Sequence, residues 1–363
     1  MKFTGNPRTL KEVNSSTIER YIFSHGPVTK PELSKLTRLS LPTVNKIVDS
    51  LEVKGFVCPA GYSASGAGRK AVLYQTNKNA GCVIVLYYSW GRYLCRLADI
   101  VGNTLYEISW SLDNKTAESA AASTFDAIDS MLVRTSLKLK AIGVGIPGAI
   151  MPDGKIFAIP KISVWEGFNL REALAERYNV PINVENDVKL AAVGCYRNFP
   201  EAGLDNIVYI YAGNGMGSGI IINKKLYRGS TNFSGEFGFL AALEGERPAC
   251  DYTLDGGYLE KRLNPFIKHS EKAGDKDILI NFFTAIAANY IAIINPAAIV
   301  FGGEAFSESL IDEIRVRVAS YSPPRSIPRI IYDDNNSRGI AGLVFACIGE
   351  VKTEVQIVQN GGV

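Results

Sequence analysis

Leu39-Ser40-Leu41-Pro42-Thr43-Val44-Asn45-Lys46-Ile47-Val48-Asp49-Ser50-Leu51 decides the fold of the N-terminal part of this 363-residue chain. Ser40 is a good N-cap residue, and Pro42 is tolerated in a first helical turn whose N–H groups have no intrahelical partner. Val44, Ile47, Val48 and Leu51 stand at i, i+3, i+4 and i+7, one apolar stripe along a helix. The opposite face carries Pro42, Asn45, Lys46 and Asp49, with Thr43 on the flank. A helix with one apolar face and short hydrogen-bonding residues near its start suits the major groove of duplex DNA.

Outward from this helix the same logic continues. Upstream, Ile18, Tyr21 and Ile22 predict a first short helix. Thr29-Lys30-Pro31-Glu32 forms a capping box at the start of a second, whose buried face is Leu33 and Leu36. Thr37-Arg38-Leu39 is the turn between the second and third helices, and Arg38 carries strain if its φ is positive. Downstream, Gly55 ends the third helix. Phe56-Val57-Cys58 and Ala71-Val72-Leu73-Tyr74 predict two strands joined by a glycine- and serine-rich hairpin whose cations, Arg69 and Lys70, suit phosphates or a minor groove. Residues 1–80 hold 12 Lys/Arg against 5 Asp/Glu, although the whole chain carries only +3. That asymmetry fits a phosphate-binding arm on a mildly acidic body. The plainer alternative is a small helical packing domain with a solvated basic face.

From Cys82 the chain alternates strand-like apolar runs with helical stretches, as an α/β fold does. Val83–Leu86, Tyr93–Ala98 and Leu105–Ile108 predict a meander, and Ala141–Gly148 a strand entering a tight loop. A second cycle runs from Asn206–Tyr211 through Gly219–Ile222 to Ala298–Gly303, so two lobes with a cleft between them are expected. Four motifs mark the cleft: Pro181–Asp187, ending in Asn186-Asp187; the glycine-rich turn Ala212–Gly219, whose N–H groups suit an anion or sugar; Gly235-Glu236-Phe237-Gly238-Phe239; and Asn295-Pro296 leading to Gly302-Gly303-Glu304. Singly, each is as well explained by a turn or a helix cap.

Together, in this order, these motifs, Gly145-Ile146-Pro147-Gly148 and Trp165 resemble the ROK family (repressors, open reading frames and sugar kinases). Leu39–Val57 and Gly68-Arg69-Lys70 resemble its winged helix, in the regulators of xylose-repressor and N-acetylglucosamine-repressor type. The resemblance implies a winged helix-turn-helix over residues 1–80. A two-lobed actin-like (ribonuclease H-like) sugar-kinase fold would follow over 81–363. Lobe 1 would span about 81–200 plus a C-terminal helix at about 339–355, and lobe 2 about 205–338. It also implies that Asn186, Asp187, Glu236 and Glu260 bind a sugar, Asp187 being the general base in active kinases. Ser40, Pro42, Thr43, Asn45, Lys46, Arg69 and Lys70 would meet DNA.

Three departures from the family pattern argue against catalysis. The Asp-x-Gly-Gly-Thr phosphate loop falls on Tyr87-Tyr88-Ser89-Trp90-Gly91, which lacks what phosphoryl transfer needs for positioning and charge stabilisation. The histidine of Gly-Glu-x-Gly-His is Phe239. The cysteines of the zinc motif reduce to Cys250, and neither His25 nor His269 lies near it, so no metal is expected. Lys161, where kinases often have asparagine, fits an acidic ligand or a solvated lysine equally.

The expectation is therefore a sugar-responsive repressor without catalytic residues or cofactor, acting as a homodimer or tetramer on an operator. Its alternatives are an active ATP-dependent sugar kinase fused to a DNA-binding domain, and a constitutive DNA-binding protein with a vestigial cleft. The six scattered cysteines form no CxxC pair. No run of ~20 uninterrupted apolar residues and no secretory h-region are evident, so a cytoplasmic protein without membrane contact is expected.

Overall fold

Ile18, Ile22, Leu33, Val44, Ile47, Val48 and Leu51 close into one buried cluster at the N-terminal end of the chain. It is built by α1 (Pro7–His25), α2 (Lys30–Thr37) and α3 (Leu41–Val53). The computed structural model describes residues 7–64, 70–89, 92–199, 204–240, 257–267 and 273–351. The capping box at α2 is complete: Thr29 accepts from the Glu32 N–H, and Glu32 accepts from the Thr29 N–H at 2.8 Å. Arg38 ends α2 with φ 57°, the left-handed conformation that the sequence puts at risk. Ser40 caps α3, and its four-residue apolar stripe is wholly buried.

Two expectations change here. The first helix is long, 19 residues rather than a few turns, because its polar N-terminal half carries no apolar period to announce it. Leu36 is 42% exposed; α2 is too short to bury both leucines, and Leu33 takes the core position. Antiparallel strands β1 (Val28–Thr29), β3 (Val72–Thr76) and β2 (Val57–Tyr62) complete the unit in the order β1-β3-β2. The β2 strand runs on past Cys58 through a register shift between Pro59 and Tyr62, which the Pro and Gly in it disguise.

The body holds two five-stranded sheets of the same topology. In the first, β4 (Cys82–Ser89), β5 (Arg92–Asp99) and β6 (Thr104–Trp110) form an antiparallel meander; β7 (Leu139–Ile146) and β10 (Ile182–Asn186) add parallel on the other side of β4. In the second, β11 (Ile207–Ala212), β12 (Met216–Ile222) and β13 (Lys225–Tyr227) repeat the meander. There β14 (Ala298–Gly302) and β15 (Arg329–Asp333) add parallel beside β11. The two cycles expected from the apolar runs are thus a duplicated α/β sheet.

Between the sheets lie α6 (Asp187–Asn198) and α10 (Arg338–Val351): α10 packs on β4 and β7, α6 on β11 and β12, and the helices on each other. Their backbones touch at glycines. A Cβ on Gly194 would come within 2.0 Å of the Arg338 carbonyl oxygen, and one on Gly342 within 2.0 Å of the Leu190 oxygen. Replacing a helical glycine by alanine gains about 1 kcal/mol of propensity. Overpacking against rigid backbone costs about 1–3 kcal/mol. Gly194→Ala is therefore expected to lower the melting temperature; an unchanged or higher value would disprove the close crossing.

The segment Gly274–Ile294 of α8 (Ala273–Ile294) is, by length and composition, apolar enough to cross a membrane, although it holds no uninterrupted apolar run of the kind a span would show. Its Asn281, Thr284 and Asn289 interrupt the run without lowering the mean far. Leu279, Ile280, Phe283, Ile286, Ala287 and Ile291 bury themselves against β14 and α9 (Glu308–Val318) in the second lobe's core.

Candidate functional site

The cleft is built where β10 hands over to α6. Asn186 ends the strand and caps the helix. Its Oδ1 accepts from the Lys189 N–H at 3.0 Å, and its Nδ2 donates to the Gly148 carbonyl at 3.0 Å. The cap and the cleft wall are the same side chain. Asp187 follows as the first helical residue, its Oδ1 accepting from the Val188 N–H at 2.9 Å. Glu236, beside a short 3-10 turn at Phe237–Phe239, and Glu260, in the first turn of α7 (Tyr258–Ile267), face it across the cavity. The four residues assigned to a sugar thus line one cleft.

These carboxylates are partly buried. Burial pushes Asp187 up to about 7, with the neighbouring Glu236 adding to the shift and the Val188 N–H and Lys161 opposing it. Burial also pushes Glu260 up to about 7, against Lys161 and the Met216 N–H. Glu236 is raised by burial and held down by Lys189, whose Nζ stands 3.6 Å from Oε1. Lys161 donates to the Asn214 carbonyl at the rim.

A carboxyl whose folded value lies above its ordinary one binds its proton more tightly in the folded chain. Stability from that proton is present at low pH and lost as pH rises from about 4 through about 7. The unliganded protein should lose thermal stability between about pH 5 and pH 8, and Asp187→Asn with Glu260→Gln should flatten that slope. An identical slope in the double variant would refute the shifted carboxyls.

Several cleft features escape the sequence. The glycine-rich run is mostly strand: only Gly213-Asn214-Gly215 turn, and Gly213 spends its N–H on the Gly215 carbonyl at 3.0 Å. Gly219 is small because α6 presses on it; a Cβ there would lie 2.3 Å from that of Ala192. The run is a hairpin whose Asn214–Gly217 part lines the cavity and whose Gly219 end is packed under α6. Phe239, where the resemblance implies histidine, stands edge-on to Phe233 at 5.0 Å, and Phe233 stacks on Phe157 at 6.0 Å. Lys189 is a further surprise, 1% exposed and buried beside Glu236.

Tyrosines also line the cleft: Tyr87, Tyr88, Tyr209 and Tyr211 share its wall with Arg338 and Gly339. The Tyr87 ring lies 2.6 Å from where a Cβ on Gly145 would stand and its hydroxyl oxygen 1.9 Å from one on Gly339, and that hydroxyl donates to the Asp187 carbonyl at 3.4 Å. Tyr209 presses on Gly302 in the same way, and Tyr211 on Gly303. Arg338 is committed to Asp333 through paired bonds of 2.9 and 3.1 Å. Trp90 and Gly91 of the expected phosphate-loop position lie outside the described residues, as does Cys250. Among the described residues no group of three or more His, Cys, Asp or Glu could hold a metal. Residues 250–258 offer one thiol and no imidazole, so the donors do not fit the family's zinc.

At the N-terminal end, Ser40, Pro42 and Lys46 are exposed along α3 and Thr43 and Asn45 half-buried. The Ser40 and Thr43 hydroxyls bond each other at 2.8 Å. Asp49, expected on the free face, pairs with Lys30 of α2. Lys70 is exposed; Arg69 lies outside the described residues.

The ROK family profile matches residues 95–253. The xylose repressor of Caldicellulosiruptor bescii is 28% identical over 288 residues, 77% of this chain and 71% of that protein. In fold, the chain is similar to a ROK-family transcriptional regulator described as a homologue of Escherichia coli MLC protein (TM-score 0.76, 17% identity, 94% of this chain and 97% of that one). It is also similar to a ROK hexokinase from Thermus thermophilus (TM-score 0.60, 19% identity, 75% and 99%). The α/β body shares its fold with these proteins, and the match to the ROK family lies within that body.

Proposed function

We propose that the protein is a sugar-responsive transcriptional repressor whose kinase-like domain senses a ligand without phosphorylating it. In this reading residues 1–80 are a winged helix-turn-helix, with α3 as the recognition helix and the β2–β3 hairpin as the wing. Residues 81–363 are the sensor. Lobe 1 is about 81–200 plus the C-terminal helix, and lobe 2 about 205–338. The carrying observation is that Asn186, Asp187, Glu236 and Glu260 line one cavity, while Tyr87 stands where the family pattern has the aspartate of the phosphate loop. Carboxylates that accept paired hydroxyl donors suit a sugar. With tyrosine in place of that aspartate, the loop lacks what phosphoryl transfer needs for positioning and charge stabilisation. The similarity to a xylose repressor points the same way.

Such a repressor would bind as a symmetric homodimer or tetramer to half-sites about 34–36 Å apart. A second reading, an active ATP-dependent sugar kinase, is favoured by Asp187, a buried carboxyl tuned to about 7 as a general base is. Electrophoretic shifts on the gene's own upstream DNA, with and without D-xylose and N-acetylglucosamine, beside a coupled ATPase assay, separate the two. A sugar-dependent shift without ATP turnover is expected; turnover lost in Asp187→Ala would establish the kinase instead.

A further inference from the structure

Lys189 is a buried cation that the proposed function does not use. It points from α6 into the second lobe, 1% exposed, with its Nζ donating to the Asn232 carbonyl and 3.6 Å from Glu236 Oε1. Asn232 in turn donates through Nδ2 to the Ile150 carbonyl in the first lobe at 2.7 Å. Arg228, four residues earlier, pairs with the buried Glu185 of β10 at 2.7 Å. The stretch from Arg228 to Glu236 is thus a strap of the second lobe fastened to the first at Glu185, Ile150 and Lys189, with a cleft carboxylate at its end. Lysine is seldom fully buried without a charged partner. A methyl-ended side chain of like length would fill the space, so packing alone does not call for an ammonium here.

We propose that Lys189 is a positioning residue: it holds the Glu236 carboxylate in place and ionised for the ligand, and ties that carboxylate to the junction of the two lobes. This rests on the cleft being the ligand site. With Oε1 engaged by the ammonium, Oε2 is the oxygen turned toward Gly217, on the cavity side. The other charged or titratable groups near Glu236 are Asp187 on α6, Glu260 on α7, Tyr290 on α8 and Lys161 on the rim. Two of these are carboxyls that disfavour its charge. Without Lys189, Glu236 should take up a proton, and ligand affinity should fall as pH drops through the raised midpoint.

The test uses the full chain with carbon-13-labelled glutamate. The Glu236 carboxyl signal, identified by its loss in Glu236→Gln, is titrated in wild type and in Lys189→Met without ligand. Its midpoint is expected at higher pH in Lys189→Met; equal midpoints would overturn the proposal. Should Lys189→Met not fold, Lys189→Met with Glu236→Gln decides. Folding restored by removing both charges supports the pair, whereas continued failure shows a packing role and overturns it. D-xylose and N-acetylglucosamine binding by calorimetry forms a separate arm. Affinity about tenfold or more weaker in Lys189→Met, increasingly so toward low pH, is expected. If neither sugar binds wild type, the ligand reading suffers, and the carboxyl titration still decides on Lys189.

Discussion

A chain lacking residues 1–80 should lose operator binding altogether, and single substitutions in that unit should divide into two kinds. Lys70 is exposed at the base of the hairpin, and Arg69 precedes it in sequence. If the cations there meet phosphate, Arg69→Ala should weaken binding to all sequences and reduce the salt slope by about 1. Thr43 and Asn45 sit in the first turns of α3, where side chains reach base edges. Changes there should alter base preference by about 1–3 kcal/mol per lost contact. Thr43 also bonds the Ser40 hydroxyl at 2.8 Å, so Thr43→Val should cost some helix stability as well, about 1 kcal/mol if the cap is disturbed. Electrophoretic shifts over a series of salt concentrations read both effects. Full operator binding by residues 81–363 alone would end the repressor reading.

What the sequence made legible was local. The caps at Thr29 and Ser40, the stripe from Val44 to Leu51 and the left-handed turn at Arg38 depend on neighbours within a few residues, and all stand as expected. The duplicated sheet was legible because buried central strands are continuous apolar runs. What stayed hidden depends on contacts between segments far apart in the chain. Tyr87 reads as the first position of a degenerate phosphate loop; that it lies in β4, in room left by Gly145 and Gly339, depends on segments far away in the chain. Lys189, on a helix rich in small residues, looks solvated until β12 and the strap close over it. The glycines of Met216–Gly219 suggested an open turn, because close helix packing and anion binding ask for the same residue. Asp49 looked free because its partner, Lys30, belongs to another helix.

Asp187→Ala and Glu236→Ala should each abolish the response to sugar while leaving operator binding intact. Both carboxylates face the cavity, both lie far in sequence from α3, and neither contributes to the N-terminal core. A carboxylate accepting sugar hydroxyls contributes charge-assisted hydrogen bonds, about 1.5–3 kcal/mol each. Losing one weakens the ligand by about ten- to a hundredfold, enough to remove the response at concentrations that saturate wild type. The response itself requires the sugar to prefer one arrangement of the lobes, since equal affinity for two states shifts nothing. Asp187 begins the helix between the sheets, and Glu236 ends a strap fastened across both lobes. In the proposed reading a sugar bridging the two carboxylates would be held by both lobes and would favour one arrangement of them. Operator binding is measured for wild type and each variant across a sugar titration. Loss in both variants is expected. A normal response in either would remove that residue from the sugar site, and an unresponsive wild type against every monosaccharide tried would make the cleft a relic.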